Sequence, residues 1–337
     1  MGNHKSKTLI KNYEKKLTNI NYENLKLKNY INNIQFLQNE IKLSNYFDTL
    51  LFDGSDFNCL SFAGVLNELQ KYNLLKNIKK YIGIGIGSIF AYLLAIGYSV
   101  VEINEIILNT NFDNFIINNI DEIRDFYYLL DNYGYSDGEL FHKWIEKLTI
   151  GKFSNINITF QELHNLLNVK LLLVGTNLTK MKIIYFSHET TPNMKIKDAL
   201  RISVNIPFIF KPIIWNNDIY VDGSLLDNNL YNKENSNIIY IKLSNTLQIS
   251  HKILDIKDYI YTIINILYYK IKEKNSYINL FQTILIINNE ILSTDLELSI
   301  NEKNKLIEYG ATAFHEFIIR RNKTKLLLEL KENNKTI

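Results

Sequence analysis

Three glycines at alternate positions, Gly83, Gly85 and Gly87, sit near the start of a stretch from Ile82 to Val101 that carries no charged residue. By length alone the stretch suits a transmembrane helix. Glycine loses more backbone freedom on entering a helix than any other residue, so three within five positions weaken that reading at its start. The stretch divides more naturally into a strand over Lys79–Ile82, a glycine turn, and a buried helix from about Ser88 to Tyr98. Upstream, Thr49–Phe52 reads as a strand and Leu60–Tyr72 as a helix. Strands alternating with helices predict a mostly parallel central sheet covered on both faces, a three-layer α/β/α domain.

The pattern continues beyond the turn. Helices are expected over Val101–Asn109, Asp121–Asp131 and Asp137–Leu148, then strands over Lys170–Val174 and Lys182–Phe186. A helix over Lys197–Ser203, strands over Ile219–Val221 and Ile238–Leu243, and helices to the end complete the expectation. Residues 1–47 are rich in Asn, Lys and Tyr. Leu25, Ile31, Ile34, Leu37 and Ile41 recur there roughly as on one helical face, which predicts a helical extension. The expected organisation is this extension, a core over 48–245, and a mainly helical part of the same domain over 246–337.

A chain of 337 residues with 46% hydrophobic and 22% charged residues can bury a large core. A formal net charge of +3, with no Lys/Arg block interleaved with aromatics, argues against nucleic acid as a partner. The lone cysteine, Cys59, excludes an internal disulfide framework and points to a reducing, cytoplasmic setting. The six histidines show no close metal-ligand spacing, and no metal or cofactor is expected. A dinucleotide reading of Gly83-x-Gly85 fails, because Ser88 stands where the third glycine belongs.

The first residues, Met1-Gly2-Asn3-His4-Lys5-Ser6-Lys7, lack the apolar stretch of a secretory signal. Gly2 with Ser6 fits the N-myristoylation signature. Lys5, Lys7, Lys11, Lys15 and Lys16 would supply the second signal that a single acyl chain needs for stable attachment to a membrane surface. So short a pattern also recurs by chance, and both readings stay open.

Several blocks between about Thr49 and Leu243 together resemble the patatin-like phospholipases. Tyr81-Ile82-Gly83-Ile84-Gly85-Ile86-Gly87-Ser88-Ile89, followed by Leu93-Leu94-Ala95-Ile96-Gly97-Tyr98-Ser99, looks like that family's nucleophile elbow and the helix behind it. Ile158-Thr159-Phe160-Gln161-Glu162-Leu163, Gly175-Thr176-Asn177-Leu178-Thr179 and Tyr185-Phe186-Ser187 resemble the middle of its domain. Asp198-Ala199-Leu200-Arg201-Ile202-Ser203-Val204-Asn205-Ile206-Pro207-Phe208 follows in order. Tyr220-Val221-Asp222-Gly223-Ser224 with Asp227-Asn228-Asn229 resembles the aspartate motif, where the family has Asp-Gly-Gly or Asp-Gly-Ala.

The resemblance implies a lipid acyl hydrolase fold in which an elbow serine attacks the ester and an aspartate serves as its base. Backbone amides of a loop with the pattern Gly-Gly-Gly-x-Arg/Lys-Gly would hold the oxyanion. Mapped onto this chain, the serine position is Gly85, the base is Asp222, and the elbow glycines are Gly83 and Gly87. The loop reads Gly54-Ser55-Asp56-Phe57-Asn58-Cys59, with only its first glycine kept. Covalent catalysis needs a side-chain nucleophile, and glycine has none. Ser55 resists the backbone angles that glycine permits, and Asp56 sets a carboxylate near a developing negative charge.

The expectation is therefore a homologue that binds a lipid or fatty-acyl ligand, or a protein partner, without hydrolysing it. Two alternatives stand beside it. One is an active acyl hydrolase that pairs Asp222 with a different nucleophile such as Cys59, placed at a helix start where the dipole lowers a thiol pKa. The other is a structural interaction protein.

Overall fold

β1 (Thr49–Phe52) is only four residues long and buried at each of them, as a strand inside a doubly covered parallel sheet must be. The computed structural model describes residues 46–54, 57–115, 127, 129–226, 230, 237–245, 256–274, 279–288 and 298–333. The expected N-terminal extension lies outside these residues except for Tyr46 and Phe47, and most of the helix expected over Asp121–Asp131 does too. β2 (Lys80–Gly83) pairs with β1 in parallel, Phe52 opposite Gly83. β9 (Ile238–Asn245) lies parallel on the other side, Phe52 opposite Ile241.

Among the described residues the main sheet has eight strands in the order β10-β9-β1-β2-β4-β8-β7, with β5 added on β4. These are β4 (Lys170–Asn177), β5 (Lys182–Phe186), β7 (Ile213–Trp215), β8 (Asp218–Asp222) and β10 (Thr283–Asn288). The four pairings from β10 to β4 are parallel, and those of β4 with β5, β4 with β8, and β7 with β8 are antiparallel. A separate two-stranded parallel sheet joins β3 (Gly134–Ser136) to β6 (Phe208–Phe210). Helices cover the main sheet, giving the expected mostly parallel α/β arrangement.

Among the described residues the helices are α1 (Ser61–Lys71), α2 (Gly87–Ala95), α3 (Val100–Asn109), α4 (Glu139–Ile150), α5 (Phe160–Leu167), α6 (Ile196–Ser203), α7 (Ile256–Lys274) and α8 (Ile300–Asn333). α2 is apolar around its whole circumference and buried at every position but Leu94, which accounts for the charge-free stretch without any membrane span. Among the described residues no helix is long and apolar enough to cross a membrane. Phe52 of β1, Phe62 of α1 and Phe90 of α2 meet with ring centroids 5.3–5.9 Å apart, clamping α2 onto the strand and helix before it.

α3 and α5 start with reciprocal capping boxes, Ser99 with Glu102 and Thr159 with Glu162. α8 crosses α1 so closely that a Cβ on Gly64 would fall 1.9 Å from the Ile307 carbonyl oxygen, and one on Gly310 equally close to that of Ser61.

Several elements differ from expectation for identifiable reasons. α2 stops at Ala95 rather than near Tyr98, because Gly97 turns left-handed (φ +89°) and closes a Schellman motif. Its amide bonds Leu94 O at 3.1 Å, and the Tyr98 amide bonds Leu93 O at 3.0 Å. β4 outruns its expected end at Val174, since its second half carries partners on both edges. β10 stands in a region where only helices were expected: Ile284 and Ile286 are buried on β9 and α8, a pairing that only the assembled sheet supplies. The short strands β3, β6 and β7 were not expected either.

Candidate functional site

Strand register brings three loops to one point at the carboxyl edge of the sheet, where open α/β folds place their ligands. Phe52 lies opposite Gly83, so the turns after β1 and β2 emerge side by side. Gly83 lies opposite Leu173, and two residues further along β4, Gly175 faces Asp222 on antiparallel β8. Asp222 therefore arrives level with residue 85. A Cβ built on Gly85 would stand 3.3 Å from Asp222 Oδ2 and 3.1 Å from Gly54 Cα.

The turn itself is held by close packing. A Cβ on Gly87 would fall 2.4 Å from Asp53 O and 2.7 Å from Phe52 O, and one on Gly83 would fall 2.3 Å from Ser88 Cα. These two glycines let α2 start directly against β1. Gly85 has φ +51°, the left-handed region that side-chain-bearing residues seldom occupy, so residue 85 sits at a sharp turn held by its neighbours. The Ser88 amide bonds Gly85 O at 3.0 Å, while its hydroxyl lies 2.6 Å from that of Ser203 on α6, which takes Ser88 out of the site.

Asp222 is 3% exposed. Its Oδ1 accepts the Ser224 amide at 2.5 Å, and its own amide donates to Asn205 O at 2.9 Å. Asn205 is fixed in turn: its Nδ2 donates to Tyr220 O at 3.2 Å, and its Oδ1 accepts Arg201 Nη1 at 2.8 Å. Arg201, 3% exposed, donates from Nη2 to Asp137 O at 3.0 Å and lies 4.6 Å over the Phe210 ring. Burial pushes its guanidinium down to about 10, against a smaller upward pull from Asp137. A buried cation thus braces the residue that holds the aspartate turn.

Ser224 went unremarked in the sequence except as the last residue of the aspartate block. Its Oγ donates to Gly54 O at 3.3 Å and stands 2.8 Å from the Cβ point of residue 85. A serine where the motif has glycine or alanine was the signal that could have singled it out.

The remaining expected residues divide into those the structure places and those it does not describe. Gly54 is at the meeting point. Asn58 and Cys59 lie on a single 3-10 turn (Phe57–Leu60) that leads into α1, and Cys59 is 2% exposed. Ser55, Asp56 and Gly2 lie outside the described residues, as do Asp227, Asn228 and Asn229. Away from the site, His164 and His188 stack at 4.0 Å, a contact nothing in their spacing suggested. Burial and the neighbouring His164 lower the pKa of His188.

A register that sets an aspartate against a strand–turn–helix elbow defines an acyl-hydrolase scaffold. The family model for patatin-like phospholipases matches residues 50–232, more than half of the chain, and the chain belongs to that family. It is 30% identical over 286 residues to the uncharacterised protein R571 of Acanthamoeba polyphaga mimivirus, covering 80% of this chain and 93% of that protein. It is 34% identical over 184 residues to the probable lipid hydrolase 463L of Invertebrate iridescent virus 6, covering 54% of this chain and 61% of that protein. Among solved structures, VipD of Legionella pneumophila shares the fold with a TM-score of 0.57 at 16% identity, covering 82% of this chain and 67% of that one.

Proposed function

We propose that this chain is a patatin-family protein that binds a fatty-acyl ligand in the family's site and does not hydrolyse it. The observation that carries this reading is the elbow. Residue 85 stands where a Cβ would be 3.3 Å from Asp222 Oδ2, and it is a glycine. Without an attacking atom there, Asp222 has no hydroxyl on the elbow to deprotonate. Its carboxylate instead holds the amide of Ser224. The loop after β1 adds to the case: Asn58 stands in the place of the family's cation, and Ser55 and Asp56 in the places of its glycines. Loss of even one oxyanion donor typically slows acyl transfer by about 100–1,000-fold.

The thiol alternative is weaker on geometry. Cys59 is buried to 2% exposure, which leaves little room for an ester to reach its sulfur. The name of the iridescent-virus relative and the family's own name favour an acyl lipid as the ligand class.

Two measurements test the reading. Purified protein turns over neither short-chain nitrophenyl esters nor phospholipids above background; turnover abolished by Asp222→Ala, or by Cys59→Ala, would sink it. Native mass spectrometry of the protein as purified finds bound acyl lipid, and none at all would leave the structural interaction reading in its place. We further propose that Gly2 is myristoylated and, with the lysines behind it, holds part of the protein at anionic membranes. Intact mass after co-expression with an N-myristoyltransferase decides this, an unmodified Gly2 removing the anchor.

A further inference from the structure

We propose that Gly85 and Ser224 are a matched pair: the hydroxyl of the site has moved from the elbow to the aspartate turn, where it fills the space a side chain at residue 85 would need. This rests on the reading of residue 85 as a vacated nucleophile position. The geometry is specific. Ser224 Oγ lies 2.8 Å from the Cβ point of residue 85 and 2.0 Å from that of Gly54, distances at which a real Cβ would force the hydroxyl out of its present rotamer. One hydroxyl thus occupies a gap lined by the two glycines, and it fits because both lack side chains.

Ser224 also acts on the carboxylate. Its amide donates to Asp222 Oδ1 at 2.5 Å, tying that oxygen to the aspartate's own turn, while its hydroxyl donates to Gly54 O at 3.3 Å across the gap. The other carboxylate oxygen, Oδ2, borders the same gap, 3.3 Å from the Cβ point. A serine restored at residue 85 would put a second hydroxyl into this space. Its Cβ would displace Ser224 Oγ, and its own Oγ would compete with that hydroxyl for the approach to Asp222. A nucleophile and base need a hydrogen bond of about 2.6–3.2 Å to act together. Ser224 is therefore a positioning residue that keeps a serine at residue 85 from making that bond. Glycine at residue 224, as in the family's motif, would open the gap while leaving the backbone bond to Asp222 Oδ1 in place.

The test is a four-member cycle of wild type, Gly85→Ser, Ser224→Gly and the double variant, read by thermal unfolding and by fluorophosphonate labelling with peptide mapping. Residues in contact couple where distant ones add, so Gly85→Ser lowers Tm by at least about 2 °C more with Ser224 present than with glycine there. Label on residue 85 forms about 100-fold faster in the double variant than in Gly85→Ser alone, the lower end of what a positioned base contributes. Additive Tm shifts overturn the pair, whatever the labelling. Equal and measurable labelling of residue 85 in the single and double variants overturns it too. Label on Ser224 in the wild type overturns it by making that hydroxyl a nucleophile. Label anywhere else in the wild type, with coupled Tm shifts, overturns only the absence of catalysis proposed above.

Discussion

The elbow and the aspartate turn meet at one point and are built in opposite ways. At the elbow the backbone makes the turn and no side chain stands on it: Gly83 and Gly87 pack against β1 and α2 with no room for a methyl group, and Gly85 makes the left-handed turn between them. At the aspartate turn the side chain is present, buried and hydrogen-bonded, and a serine hydroxyl stands two residues on. The difference separates two kinds of constraint. Close backbone packing persists for stability whether or not chemistry occurs. A buried carboxylate that accepts an amide bond persists for the same reason, since removing it would leave that donor unpaired. Neither feature alone is evidence of catalysis.

The comparison can be broken most sharply at Gly87. Gly87→Ala forces a methyl to within 2.4 Å of Asp53 O, backbone that cannot yield without moving β1. The expected loss is about 3 kcal/mol, at the upper end for overpacking, or roughly 4 °C in Tm by circular dichroism for a chain of this length. A melting curve unchanged by this substitution would mean that the elbow is looser than its contacts indicate.

Arg201→Met tests the brace under the aspartate turn. It removes two charge-assisted donors, leaving Asn205 Oδ1 and Asp137 O without them, and costs about 3 kcal/mol. Exchange of the Asp222 amide, which bonds Asn205 O, should accelerate in the same variant when followed by hydrogen–deuterium exchange. Unchanged exchange would uncouple the brace from the turn.

Asp222 itself is expected to matter for stability less than either. Asp222→Ala leaves the Ser224 amide unpaired and costs about 2 kcal/mol, while Asp222→Asn keeps an acceptor there and costs about half as much. Urea midpoints of the two variants measure the ordering. Equal losses would mean that the charge, and not the bond, is what the turn needs.

The smallest effect concerns pH at α3, the helix after α2. Lys152 foremost, then the amide and hydroxyl of Ser99, pull the Glu102 carboxyl down from its ordinary 4.5 to about 2. A carboxyl whose folded pKa lies below its unfolded one contributes stability above pH 4.5 and loses it as pH falls toward 2. The urea midpoint of wild type should therefore fall towards that of Glu102→Gln over this window, and a difference between the two that stays constant from pH 6 to pH 3 would assign the helix start to the Ser99 hydroxyl alone.

Much of the fold was legible along the chain because its signals are local. β1 and β5 have the bounds their apolar runs suggested, and the charge-free stretch resolved into strand, turn and helix through its three glycines. Local signals also mark helix ends, although the one at Gly97 was missed. β10 had a local signal too: Thr283 to Ile287 is an apolar run with four β-branched residues, closed by two asparagines, and its pairing with β9 under α8 then fixes it as a strand. Of the site, Gly54, Gly85 and Asp222 were legible as motif positions, while Ser224 was passed over and its hydroxyl placed by nothing local.

The sequence by itself determined the class of fold, the elbow turn and the lack of a side chain at residue 85, because glycine spacing and apolar periodicity act through the backbone within a few residues. Only the tertiary structure decided what surrounds that position. The gap between Gly54 and Gly85 exists because β1 and β2 pair in register, and Asp222 and Ser224 enter it because β8 runs antiparallel to β4. Those alignments join residues up to 170 positions apart. No short-range pattern encodes such a distance, and burial in a common sheet enforces it.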